Sequence, residues 1–146
     1  MKRHVGALSV FVLLAMLALY WPLLHLTTHV PGNSTTDYFH FNWNYWWIRH
    51  ALTTPGLNVY ETNFVMYPFV SNLAYHTLVP FWFPVWAVVE PLGGTVAAMN
   101  VIFTISMALI GYTFFLLLMR EGVSGGLALV GDAAQPTLPG WLFSAF

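Results

Sequence analysis

"VGALSVFVLLAMLALYWPLLHL", residues 5 to 26, runs without one Asp, Glu, Lys or Arg. As a helix rising about 1.5 Å per residue it reaches roughly 33 Å, close to the thickness of a bilayer's hydrocarbon core. The stretch is therefore predicted to be a transmembrane helix. Lys2 and Arg3 stand immediately before it. Positive charge is retained on the cytoplasmic side, so the N-terminus is expected inside and residue 27 onward outside. A cleaved signal peptide is the competing reading. It fits less well, because the run exceeds the ~7 to 15 residues of a signal core and no small-x-small cleavage pattern follows.

Composition supports a membrane setting. Of 146 residues, 58% are hydrophobic and only 6% charged, against about 25% charged in an ordinary soluble domain. Too few charges remain to build a water-facing surface. Four Lys and Arg residues and a formal net charge of -1 provide no basic stripe, which argues against nucleic acid as a partner. The chain has no cysteine, which excludes disulfides, thiolate metal sites and thiol nucleophiles.

A second apolar run spans Val96 to Met119, interrupted only by the uncharged Asn100, Thr104, Ser106 and Thr113. A third candidate covers Leu73 to Leu92, whose strictly apolar core, 78 to 89, must recruit His76 and Glu90 at its ends to cross. Pro80 and Pro84 each lack a backbone donor, so this helix is predicted to be kinked and packed against neighbours. The predicted fold is an all-α integral membrane protein with about three transmembrane helices, 5–26, 73–92 and 96–119. A re-entrant or interfacial 73–92 is the alternative. It would return Arg120 to the cytoplasm. Residues 126–146 read as an irregular tail with Gly and Pro punctuation and no fourth span. Residues 1–125 thus read as the beginning of something larger.

Most of the polar chemistry falls in the predicted external loop, 27–72. Within it "DYFHFNWNYWWIRHAL", residues 37 to 52, has the helical period. Phe39, Trp43 and Trp46 share one side, and Asp37, His40 and Asn44 lie nearly opposite. An amphipathic interfacial helix is expected, with tryptophans at headgroup level. A carbohydrate platform is the alternative use of these flat rings. Asp37 also has two readings: an N-cap for the helix, shared with Thr36, or a chemically active carboxylate. Other features are weaker. His25 and His29 have the spacing of a helical metal pair but lack the zincin Glu, since Leu26 stands there. Asn33-Ser34-Thr35 is a formal glycosylation sequon. Glu61 and His76 flank the loop's apolar end, and there is no phosphate-binding Gly loop or nucleotide fingerprint.

Three motifs in order carry a family resemblance. They are D-x5-W-x3-W-x2-H-A-L (Asp37, Trp43, Trp47, His50, Ala51, Leu52), Y-P-x3-N-L-A-x-H-T (Tyr67, Pro68, Asn72 to Ala74, His76, Thr77) and A-A-M-N (97 to 100). Together, over about residues 5 to 125, they resemble the start of bacterial membrane glycosyltransferases of the GT-C superfamily. The resemblance implies an enzyme of the bacterial inner membrane that moves a sugar from a polyprenyl-phosphate donor to an acceptor on the outer face. It implies that Asp37 is the acidic residue of the first external loop, acting as base towards the acceptor or as ligand of a divalent metal ion. His40, Asn44, Arg49 and His76 are the nearby groups that can bind substrate and supply donors to the phosphate leaving group. Family members carry more spans than this chain, so activity is expected to need further sequence. The alternatives are a small noncatalytic membrane subunit beside a larger membrane partner, a gene remnant and, more remotely, a transporter fragment.

The topology is directly testable, because the chain is naturally cysteine-free. A cysteine at Thr54 is expected to react with a membrane-impermeant maleimide in intact cells; labelling only after permeabilisation would reverse the orientation.

Overall fold

The computed structural model of the protein describes residues 2–31, 37–123 and 126. The chain is mostly helical. In order it forms α1 (Lys2–Ala18), α2 (Tyr20–Leu24) and α3 (Tyr38–Thr53), then an antiparallel hairpin of β1 (Glu61–Thr62) and β2 (Ser71–Asn72). Two 3₁₀ turns, Leu73–Tyr75 and Pro80–Trp82, lead into α4 (Phe83–Arg120). The sequon Asn33-Ser34-Thr35, the alternative cap Thr36 and the tail from 127 onward lie outside the described residues.

The apolar run 5–26 is helical but divided. Pro22 has no N–H to offer the Ala18 carbonyl four residues back, and its ring crowds that carbonyl. The helix accordingly stops at Ala18 and resumes at Tyr20. With 17 residues, α1 extends about 25 Å, short of a full hydrocarbon core. Among the described residues one helix, at the C-terminal end of the apolar sequence and ending at Arg120, is long and apolar enough to cross a membrane. Of the three crossings expected from the sequence, one has a helix of that length and apolarity among the described residues.

The correction at 73–92 has a clear cause. Residues 73 to 82 are 3₁₀ turns and extended chain rather than α-helix. Pro80 opens the second turn, and Pro84 sits in the first turn of α4, where backbone N–H groups have no intrahelical acceptor. The prolines start a helix instead of bending one. The bend comes later, after Pro91, where Gly94 has φ 82° and ψ 174°, a conformation essentially reserved for glycine. Beyond it, residues 95 to 120 run roughly 39 Å at ~1.5 Å per residue, matching the predicted span 96–119. The helix ends in a Schellman motif: Gly122 has φ 81°, Val123 N–H reaches Leu118 O at 3.0 Å and Gly122 N–H reaches Met119 O at 3.3 Å.

Two compact units divide the chain. In one, α1 and the end of α4 share a small core of Ala7, Phe11 and Phe115, against which Tyr112, Leu118, Met119 and Val123 pack. The Phe11 and Phe115 rings lie 6.1 Å apart. The other unit, residues 21 to 102, contains α3, the hairpin and the first part of α4. Its buried Asn100 donates to Leu26 O at 2.9 Å and His29 O at 2.7 Å, tying down carbonyls where the chain leaves α2.

Because a Cβ on Gly94 would meet nothing within 4 Å, replacing it tests the backbone alone. Gly94→Ala is expected to lower stability by about 1 to 3 kcal/mol, read as a fall in the thermal midpoint of the detergent-solubilised chain. Gly6→Ala, in open space within α1, is the control and should hold or raise it. An unchanged midpoint for Gly94→Ala would contradict the assigned bend.

Candidate functional site

The helix expected over 37–52 is present as α3, but its faces are used differently. Two stripes at helical spacing dock on two different neighbours. Asn42, Tyr45 and Arg49 meet the first turns of α4: Trp86 Nε1 donates to Asn42 Oδ1 at 3.1 Å, the Tyr45 and Trp86 rings are 6.0 Å apart, and the Arg49 guanidinium lies 4.4 Å over the Trp86 ring. The second stripe, His40, Trp43, Asn44 and Trp47, meets residues 59 to 77. Trp47 Nε1 donates to Val59 O at 2.8 Å, and its ring packs 5.6 Å from Phe64. What remains outward includes Phe39 and Trp46, both exposed. Of the side predicted to lie in the interface, Phe39 and Trp46 are outward, while Trp43 is half-buried against Trp47 and His76. The predicted polar deck is solvated only in part, since Asp37 is exposed, His40 is half-buried and Asn44 is completely buried.

Burying an amide requires partners for both ends. Asn44 Nδ2 donates to Thr77 O at 2.7 Å, and Asn44 Oδ1 faces His76 Nε2 at 3.2 Å. The His40 ring stands 4.2 Å from the His76 ring, centroid to centroid, tilted 45°. Trp43 presents an edge-on contact to His76 at 6.3 Å and stacks on Trp47 at 6.2 Å. Burial, and secondarily the neighbouring His40 imidazole, hold His76 below the ordinary histidine range. His76 is consequently neutral at pH 7. The hairpin delivers it: Glu61 pairs with Asn72 and Thr62 with Ser71, and Asn72 Oδ1 caps the following turn by accepting from Ala74 N–H at 2.8 Å.

Arg49 is elsewhere. About 140° around α3 from Asn44 at 3.6 residues per turn, it binds Glu90 with Nη1 to Oε2 at 2.6 Å. Its Nη2 makes a long contact of 3.5 Å with Ala87 O, the carbonyl that Pro91 cannot engage because it has no N–H. Of the five residues singled out from the sequence, His40, Asn44 and His76 thus come together. Arg49 is held on another flank of α3. Asp37 is exposed at the N-cap position with αR backbone, and its side chain makes no capping bond. The cap reading of Asp37 is overturned; its backbone carbonyl, at 2.9 Å from Phe41 N, begins the helix instead.

The metal proposal meets a poor donor set. No three His, Asp or Glu side chains among the described residues are placed to hold a metal ion. His25 and His29 form a ladder with Trp21, the rings 4.3 and 4.6 Å apart in succession, with no third ligand among the described residues. Sequence reading missed Glu90, Asn42 and Trp86 as partners. The signal was available for Glu90, since Arg49 is the sole Lys or Arg between Arg3 and Arg120. Comparison with known protein families, curated proteins and solved structures finds no match.

Proposed function

We propose that the chain is the N-terminal membrane part of a GT-C type glycosyltransferase, taking a sugar from a polyprenyl phosphate to an acceptor hydroxyl at the outer membrane face. The observation that supports this reading is the convergence of His40, Asn44 and His76 on a helix whose first residue follows Asp37. Asp37 and His76 are specified residues of two of the three motifs on which the resemblance rests, and His40 and Asn44 stand at unspecified positions within the first. Asp37 supplies the carboxylate that takes the acceptor's proton, and as an exposed group without a capping duty it is free to do so. No step is assigned to a metal ion. A mostly helical chain with a helix long and apolar enough to cross a membrane suits such chemistry, because the donor's polyprenyl tail stays in lipid.

A second reading, a noncatalytic membrane subunit, is favoured by one feature. The tip of the hairpin exposes Phe64, Val65, Met66, Tyr67, Phe69 and Val70, a surface that a larger protein would cover.

Asp37→Asn separates the two. Asparagine has nearly the same shape and no charge, and no cap is lost. In vesicles holding the chain completed with the further sequence its activity is expected to need, a polyprenyl-phosphate sugar and an acceptor alcohol, the substitution is expected to reduce transfer by roughly 10²-fold or more, the usual weight of a general base. Equal transfer by variant and wild type would remove Asp37 from the chemistry. Absence of transfer by the wild type, with capture of a larger membrane protein, would favour the subunit.

A further inference from the structure

The orientation of Asn44 decides which atom of His76 faces a ligand. Its Nδ2 is committed to the Thr77 carbonyl at 2.7 Å; the flipped amide would set two oxygens at that distance, which no hydrogen bond allows. Oδ1 therefore faces His76 Nε2, 3.2 Å away. An amide oxygen only accepts. The proton of neutral His76 must then sit on Nε2, leaving Nδ1 as a bare lone pair with no hydrogen-bond partner among the described residues. Such an atom accepts hydrogen bonds and cannot give one.

We infer that His76, locked by Asn44, is a hydroxyl-reading site for a saccharide, whose O–H donates to Nδ1 while its C–H face rests against the half-buried Trp43. This deepens the glycosyltransferase reading and rests on it only for the sugar's fate. It also reassigns His76, which the sequence suggested as a donor to the phosphate leaving group. A bare Nδ1 repels phosphate oxygens and attracts hydroxyls. Aromatic face and fixed acceptor together suit a molecule that is apolar on one side and rich in O–H around its rim, which describes a pyranose. Among the described residues, His40 is the titratable side chain in contact with His76, and no carboxylate is hydrogen-bonded to it.

The pH dependence has a definite sign. Protonation turns Nδ1 from acceptor to donor, so the hydrogen bond it accepts from a saccharide O–H is lost as pH falls. Since burial and His40 hold His76 below the usual range, binding should persist down to and below about pH 6.5, where a free imidazole is already half protonated.

Nitrogen-15 NMR of the histidine-labelled full chain in nanodiscs tests this without any transfer assay. His76 is expected as a pure Nε2–H tautomer at pH 7.5, and methyl glucoside at high millimolar concentration should perturb its Nδ1 resonance while inorganic phosphate does not. Asn44→Ala should return His76 to a tautomer mixture. His76→Gln, which keeps a donor for Asn44, should abolish the glucoside response measured at Trp43. A Nδ1–H tautomer, or a Nδ1 response to phosphate but not glucoside, would overturn the inference. Saccharide binding by a chain that transfers no sugar would count against the glycosyltransferase reading while leaving this site intact.

Discussion

Arg49 has few places to go. It is the sole Lys or Arg in more than a hundred residues of largely apolar sequence, and an unpaired guanidinium held against such surroundings would be costly. The structure gives it a carboxylate, an aromatic face and a carbonyl: Glu90 at 2.6 Å, Trp86 at 4.4 Å and Ala87 O at 3.5 Å. All three belong to the first turns of α4. Pro91 is part of the same arrangement, since its missing N–H is what leaves the Ala87 carbonyl available. Planar, always charged and able to stack, arginine fits this combination in a way lysine would not. The contact fixes the rotation of α3 about its own axis. Once Arg49 points at α4, Asn44 and His40 must point at residues 76 and 77, and the polar cluster follows.

That dependence explains why the helix was legible and its use was not. The period of Trp, Tyr and Ile between 38 and 53 specifies a helix regardless of context. Which side faces inward depends on neighbours that periodicity does not name. Phe39, Trp43 and Trp46 were grouped correctly on one side, yet Trp43 turns partly inward to stack on Trp47, and Asn44 is buried because Thr77 and His76 answer both ends of its amide. Prolines misled in the same way. Pro80 and Pro84 in an apolar run look like kinks, but a proline in a first turn begins a helix, and only the structure shows where the first turn is. The actual bend relies on Gly94, one glycine in the pair Gly93-Gly94 that nothing in sequence separates.

The site shows the same division. Asp37, His40, Asn44 and His76 were visible as the polar residues of a nearly charge-free segment, and three of them meet. Asn44's role as the group that sets a histidine tautomer needed distances. Arg49 was grouped with them by proximity in sequence, whereas five residues along a helix is more than a third of a turn away from the same face. Function is the least legible level: nothing in the sequence shows that Asn44, held by Thr77, faces one ring nitrogen of His76 and leaves the other to accept.

The central claim is that Arg49 and Glu90 together hold α3 in the rotation that builds this cluster. A double-mutant cycle tests it most directly, with Arg49→Gln, Glu90→Gln and the pair, followed by denaturant unfolding of the solubilised chain. The side chains are 33% and 23% exposed, between the surface pairs worth about 0 to 1 kcal/mol and the buried ones whose loss costs about 3 to 5. A coupling of about 1 to 2 kcal/mol is expected, with the double variant less damaged than the sum of the singles. Additivity within roughly 0.3 to 0.5 kcal/mol would mean that the two charges do not hold the helix, and the account would fail at its base.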